Sequence, residues 1–297
     1  MSDWSQQLIA VDWGTSNRRA YLLGPDGTVI EHMEDDRGVA SLQQGDFPSA
    51  VAEIERALGK HPMLLAGMIG SNRGWLEAPY VPCPAAASDL AGKLAWAQEG
   101  AKAIVPGLSW VEGGRGDVMR GEEVQVFGLM ASRGAAAELT ICHPGTHTKW
   151  ASVSGERIAG FRTVMTGEMF GLLREHSILA PLLEGEVEPG DAFLDGVAEG
   201  YAGEGLTSAL FALRASALLS LVPAGDALPR ASGLLIGADL REGLGWARPG
   251  GEVVVLGRPS LTRLYAAAIV GVGREAREMD GAEAFVAGMH ALRGRMA

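Results

Sequence analysis

A chain of 297 residues is longer than one hydrophobic core ordinarily organises, so two domains are expected. Apolar residues make up 47% of it and charged residues 21%, which is enough for two cores, and no apolar run reaches the ~20 residues that span a bilayer. A net charge of −11 argues against a nucleic-acid partner, and two cysteines, Cys83 and Cys142, provide neither a disulfide framework nor metal-ligand spacing, so a cytoplasmic protein with no membrane partner is expected.

The first element is expected at residues 8–13, LIAVDW, a strand candidate carrying an acid, Asp12, near its end. A Gly-Thr-Ser-Asn turn follows, then a second strand at 18–24 and, after Pro-Asp-Gly, a third at 28–32. Residues 49–59 carry apolar residues at helical spacing and stop on Gly. MLLAGMIG at 63–70 reads as a buried strand running into a polar loop, and 78–87 is proline-punctuated and irregular. Residues 121–134 have helical periodicity with two acids in the first turn, where they suit the helix dipole.

From residue 138 the pattern restarts: a strand at 138–143, a Gly/Thr-rich turn PGTHTKW, a returning strand, and a third over 156–164. Helices are expected from 167 to 179, over most of 193–222 and 232–245, and at 260–270 and 282–293, with a loop at 184–191 and a buried strand at 252–257. The doubled hairpin, once near residue 9 and again near 139, is the most informative feature. Each tip joins glycine, which admits close backbone approach, to hydroxyls and amides that donate to oxygen anions. Two such tips could grip a polyphosphate, whereas the spacings of the P-loop and of the dinucleotide fingerprint are absent. Only four lysines occur beside 21 arginines, so a single arginine signals little and Lys149, in the second tip, signals more.

IAVDWGTSNRRAYLL resembles the first phosphate motif of the sugar kinase, actin and heat-shock chaperone superfamily, and ICHPGTHTKWASV resembles the second. VVVLGRPSLTRLYAAA (253–268) is similar to the adenosine motif, GEEVQVFG (121–128) stands where the first connecting helix belongs, and AEAFVAGMHAL, with Gly288, resembles the terminal one. Within the superfamily, GMIGSNRGW, VMRGEE, PGTHTKW and FRTVMTGE resemble the 2-dehydro-3-deoxygalactonokinase family, whose members phosphorylate 2-keto-3-deoxygalactonate on its 6-hydroxyl with ATP. The resemblance implies an α/β fold of two actin-like ATPase (ribonuclease H-like) domains, with mixed sheets flanking a nucleotide cleft. They would comprise residues 1–131 and 132–297, the last helix packing at their junction. A homodimer is left open.

What the resemblance implies for single residues follows. Asp12 would hold Mg²⁺ through water, since that ion takes few carboxylates and keeps several waters. Gly14, Thr15, Ser16 and Asn17 would donate to the transferring phosphate, with Arg19 beside them and Arg18 on the opposite strand face. Gly145, Thr146 and Thr148 would cradle the β- and γ-phosphates, Lys149 would add charge, and Gly257 would mark the adenosine site. His147 reads as a neutral donor at the turn. The family's catalytic aspartate at the first connecting helix is replaced by glutamates here. Glu122 is the first choice for the base, Glu123 the second and Asp117 the third. A sugar-acid carboxylate calls for a guanidinium, from Arg73, Arg120 or Arg162. Asn72 and Thr166 could serve its oxygens, Trp75 and Tyr80 could wall the pocket, and Glu168 could line it. Two alternatives stand beside this reading: a kinase for another small sugar acid, and an ATPase of the actin or chaperone kind that transfers phosphate to no sugar.

Overall fold

The structure is a computed structural model and describes residues 4–133, 138–203, 205–247 and 250–296. Of the helices expected at 121–134 and 193–222, residues 134 and 204 lie outside the described residues. The chain divides into two compact units. The first comprises Met1–Ala137, Val153–Gly160 and Gly281–Ala297, and the second Glu138–Ser152 and Phe161–Asp280.

The first unit opens with β1 (Leu8–Trp13), β2 (Arg18–Leu23), β3 (Val29–Asp35), α1 (Phe47–Leu58) and β4 (Met63–Gly67). β1 and β4 are buried almost throughout, as expected of strands covered on both faces. α1 lays Phe47, Ala50, Val51, Ile54 and Leu58 onto the sheet, one face at helical spacing, and stops at Gly59. The stretch that follows was not legible as elements: β5 (Tyr80–Pro82), β6 (Ala85–Ala86), α2 (Ala87–Ala91), β7 (Ala95–Gln98), β8 (Lys102–Ile104), β9 (Gly107–Glu112) and β10 (Arg115–Met119). Each is at most six residues long, too short for periodicity to separate it from loop. α3 (Glu122–Arg133) then closes the segment. The main sheet runs β3-β2-β1-β4-β8-β7, and β10-β9-β5 form a smaller one. β1–β2 and β2–β3 pair antiparallel, while β1–β4 and β4–β8 pair parallel. Loops after the carboxyl ends of β1 and β4 therefore emerge side by side, where ligands of such sheets bind.

The second unit repeats the plan with β11 (Glu138–His143), β12 (Thr148–Ser154), β13 (Arg157–Val164), α4 (Thr166–His176), α5 (Asp191–Ala202), α6 (Leu206–Leu218), α7 (Ala227–Trp246), β14 (Val253–Gly257), α8 (Pro259–Gly271) and β15 (Ala276–Asp280). Its strands run β15-β14-β11-β12-β13, matching β8-β4-β1-β2-β3. The turn end of the β12–β13 hairpin is grouped with the first unit, where Arg157 and Ile158 pair with Ala86 and Ala85. The core of this unit gathers Trp150, Phe193, Val253, Val255, Tyr265 and Ile269, and a smaller helical cluster forms around Leu179, Leu210 and Leu234.

α9 (Gly281–Arg293) belongs to the first unit and crosses α3. The helices meet backbone to backbone: a Cβ on Gly128 would lie 1.8 Å from the Ala284 carbonyl, and one on Gly288 2.0 Å from that of Val124. No side chain fits at either position. No described helix is long and apolar enough to cross a membrane.

Candidate active site

In the first unit, β1 delivers Asp12 half-buried at its end, and residues 14–17 make the turn. All four turn carbonyls are engaged from behind. Asn17 accepts from the Gly14 N–H (2.9 Å), while Ser16, Gly14 and Thr15 accept from Gly38, Val39 and Ala40 (3.1, 3.0 and 3.0 Å). Thr15 and Ser16 remain exposed, and with its acceptors consumed the turn has donors to offer, the polarity an anion requires.

The two arginines after the turn divide across β2. Arg18 is 1% exposed, 4.9 Å over the Trp13 ring. It is clamped to Asp35 by Nε (3.1 Å) and Nη2 (2.5 Å) and to the Ala50 carbonyl by Nη1 (2.7 Å). Arg19 sits on the other face, opposite Asp12 in register, its Nε 2.8 Å from Glu34. Partial burial works to lower its pKa, but the Glu34 hydrogen bond and the charges of Glu34 and Asp12 outweigh it and the pKa is raised.

Two glycines in the left-handed region bring α3 to this corner. Gly67, ending β4, has φ +93° and Gly121, preceding α3, has φ +108°. A Cβ on Gly121 would lie 3.1 Å from the Gly67 Cα, and one on Gly67 would lie 3.6 Å from Asp12 Oδ1. Side chains at either position would strain the backbone and crowd the space beside the Asp12 carboxylate. The glutamates that follow are unlike each other. Glu122 is half-buried and accepts the Arg120 N–H (3.0 Å). Glu123 is fully buried and its Oε2 accepts the Gly121 N–H (2.7 Å), while its Oε1 has no hydrogen-bond partner among the described residues. Burial, reinforced by the Glu122 charge, pushes the Glu123 carboxyl up to about 8. Asp117, on β10, binds the neighbouring Val118 N–H (2.8 Å).

The residues expected at a sugar acid fall into both units. In the first, Arg120 donates through Nη2 to the Ala78 carbonyl (2.8 Å) and stacks 4.3 Å over the Tyr80 ring, while its Nε and Nη1 are buried and unpartnered among the described residues. Asn72 and Arg73 are exposed on the loop between β4 and β5, and Trp75 packs onto the core from that loop. In the second, Arg162 lies 6.0 Å from the Trp246 ring and lines a cavity of ≈ 720 Å³ with Glu199, Arg241 and Glu242. Thr166 is buried and donates to Asp239 (2.5 Å), so its hydroxyl proton is directed inward and only its oxygen is left to accept from a ligand hydroxyl.

The second turn, residues 144–147, joins β11 to β12. The parallel pairing of β11 with β14 puts Gly257 beside it: a Cβ there would lie 3.6 Å from the Pro144 carbonyl. The amino end of α4 closes on the turn. Glu168 N–H donates to the Thr146 carbonyl (2.9 Å), and Gly167 approaches so near that a Cβ would lie 2.3 Å from the Gly145 carbonyl. Thr146 and His147 are exposed, and His147 Nε2 meets the Glu168 carboxylate at 2.5 Å. Thr148, expected to cradle phosphate, instead turns its hydroxyl inward, 2.8 Å from the Tyr265 OH in a fully buried setting. Alternation along β12 sends Lys149 to the other face, where it donates to Thr163 (2.8 Å). A cavity of ≈ 330 Å³ opens from Gly145 between α4, α7, α8 and the 185–188 loop, walled by Phe170, Ile236, Leu264 and Tyr265.

Behind the turn stands Asp239 of α7, 1% exposed, accepting from Trp150 Nε1 (2.7 Å), Thr166 Oγ1 (2.5 Å) and the Tyr265 OH (2.5 Å). Burial raises its pKa against those hydrogen bonds. Sequence reading missed it, although an acid among Leu235, Ile236, Leu240 and Gly243, on the apolar stripe of a helix, was the available signal.

Comparison with known proteins agrees with this architecture. The chain is 35% identical over 289 residues to the 2-dehydro-3-deoxygalactonokinase of Escherichia coli (strain K12), covering 96% of this chain and 97% of that one. A crystal structure of a protein from Sinorhizobium meliloti described as a 2-dehydro-3-deoxygalactonokinase superposes with a TM-score of 0.87 at 33% identity, covering 96% and 97% of the two chains. The fold extends to the ADPNP-bound activator of 2-hydroxyisocaproyl-CoA dehydratase from Clostridium difficile, with a TM-score of 0.50 at 11% identity over 98% and 96% of the chains. That likeness speaks for the ATPase fold alone. The 2-keto-3-deoxy-galactonokinase profile matches residues 12–292, and the chain belongs to that family.

Proposed function

We propose that the chain transfers the γ-phosphate of ATP to the 6-hydroxyl of 2-dehydro-3-deoxy-D-galactonate with Glu122 as the general base. The observation that carries the assignment is the corner where Gly67 and Gly121 bring the start of α3 against the strand end bearing Asp12. Glu122 stands there half-buried with one carboxylate oxygen bound, whereas Glu123 is sealed in. Phosphoryl transfer needs alignment and charge neutralisation, and the base need only reach the hydroxyl proton.

The donor set of the first unit fits Mg²⁺. Asp12 is a half-buried carboxylate with space kept beside it by Gly67, and one carboxylate plus waters is how that ion is commonly held. Asp12 would hold the ion, which when bound supplies charge to the phosphates. Thr15, Ser16 and the turn backbone orient the transferring group, and Arg19 adds a cation on the same strand pair as Asp12. In the second unit, Gly145 and Thr146 take the β-phosphate side with the amino end of α4 behind them, a favourable end for anions. The apolar cavity beside Gly145, with Leu264 and Tyr265 in its wall, takes the adenine ring. Arg120, Arg73 and Asn72 receive the sugar acid, its carboxylate toward a guanidinium.

ATP consumption tests the reading with 2-keto-3-deoxygalactonate, its gluconate epimer, glycerol or no acceptor. Turnover should require the galactonate, and Glu122→Gln should lower kcat by roughly 10²–10⁴. Near-normal turnover in that variant removes Glu122 from the role. Hydrolysis indifferent to every sugar acid favours the ATPase alternative.

A further inference from the structure

We infer that Asp239 is the positioning residue of the second turn, setting through three hydrogen bonds where residues 145–148 meet the nucleotide phosphates. The inference rests on reading that turn as a phosphate site. Asp239 lies within an otherwise apolar helix face, and among the described residues its hydrogen-bond donors are the neutral groups of Trp150, Thr166 and Tyr265, with no arginine or lysine beside them. Such a network gains little net stability over an apolar quartet of equal shape, and what it contributes is a single arrangement.

The direction of each bond is forced. A carboxylate only accepts, so Tyr265 donates to Asp239, and the Thr148 hydroxyl, 2.8 Å from the Tyr265 OH, gives its proton to the Tyr265–Asp239 pair. The Thr148 proton is thereby committed inward, and only the backbone at 148 is left to face a ligand. The donors come from three different elements: Trp150 and, through Tyr265, Thr148 on β12; Thr166, the first residue of α4; and Tyr265 on α8. α4 in turn holds the turn through the Glu168 N–H on the Thr146 carbonyl and the Gly167–Gly145 approach. Gly145, Thr166 and Tyr265 also line the 330 Å³ cavity, so one carboxylate ties the phosphate turn to the wall of the proposed base pocket.

Asp239→Asn keeps the size and replaces one acceptor by a donor, which must face Trp150, Thr166 or Tyr265. ADP titrated calorimetrically should bind roughly ten- to a hundred-fold more weakly, and KM for ATP should rise in step, while KM for the sugar acid stays within about twofold. Tyr265→Phe removes one of the three donors to Asp239 and the acceptor of Thr148, leaves Trp150 and Thr166 in place, and should give a smaller shift of the same kind, which keeps the inference testable if Asp239→Asn does not fold. A folded Asp239→Asn protein with parental ADP affinity overturns the inference. So does an equal rise in both KM values with a lowered thermal midpoint, the mark of a merely structural residue. Gly145→Asp separates the premise: it places a carboxylate in the turn, and unchanged ADP affinity in that variant means the turn is no phosphate site, whatever Asp239 does.

Discussion

Glu123→Gln tests whether the second glutamate of α3 is a buried neutral acid rather than a base. The carboxyl is wholly buried and pushed from 4.5 to about 8, first by burial and then by the charge of Glu122. A folded-state pKa above the unfolded value means the folded protein binds more protons than the unfolded chain between those two values. Stability is therefore undiminished below pH 4.5, falls as the pH rises, and levels off near pH 8. At pH 7 the loss amounts to two and a half pH units at about 1.4 kcal/mol each, or about 3 kcal/mol. Glutamine reproduces the protonated group: its carbonyl can accept the Gly121 N–H, and its amide replaces the proton on the unpartnered Oε1. The variant should match the parent near pH 4.5 and be the more stable by about 3 kcal/mol at pH 7. Urea unfolding at pH 5, 6, 7 and 8 measures this. With two compact units, the readout is the midpoint of whichever transition the substitution moves. Parallel parent and variant curves across that range would refute the reasoning, because a solvated carboxylate at 123 predicts no divergence.

Substitutions at the adjacent arginines should separate folding from chemistry. Arg18→Ala removes a buried guanidinium from Asp35 and the Ala50 carbonyl, leaves a void under Trp13, and should cost roughly 3 kcal/mol in thermal or urea unfolding. Arg19→Ala loses only a half-exposed pair with Glu34, about 0–1 kcal/mol, yet should lower kcat more than tenfold. Equal effects of the two on stability would contradict the division across β2. Gly288→Val should destabilise by roughly 2–3 kcal/mol, because its Cβ would fall 2.0 Å from the Val124 carbonyl and force α9 off α3. An unchanged midpoint in that variant would mean the crossing is not closely packed.

Much of the frame was legible because it is written in long apolar segments. The strand at 138–143 and the helices that became α1, α3, α8 and α9 were recognisable from burial periodicity and glycine stops, with ends within a few residues. Residues 88–119 were not. Several of their strands draw partners from elsewhere in the chain, as β8 does from β4 and β9 from β5, and six or fewer residues of local pattern do not carry that information. The separation of Arg18 from Arg19 could be read from strand alternation. The burial of Thr148 could not, although the same alternation governs it, because only Tyr265, 117 positions away, shows which face of β12 is inward. The Glu122–Glu123 pair is similar: two acids in a first turn look equivalent until the fold buries one of them and leaves the other half-buried.

The repeated hairpin explains why the two turns resemble each other in sequence while their supports do not. Under the proposed function each turn must expose donors and hide acceptors, a requirement on local backbone, and both turns combine glycine with hydroxyl residues. Holding the turn still is a requirement on whatever lies behind it. Behind the first lies Arg18, a buried cation satisfied by Asp35 and by the Ala50 carbonyl of α1. Asp35 also accepts the Arg37 N–H, which anchors the strand running on to the 38–40 backbone that grips the turn. Behind the second lies Asp239, a buried anion satisfied by hydroxyls and an indole. The supports have opposite charge and belong to different elements, so the repeat carries the strand order and the turn backbone but not the buried charge behind each turn. The turn residues proposed to face the phosphates are thus the ones a motif finds, and the groups behind them, Arg18 and Asp239, have to be sought as buried charges.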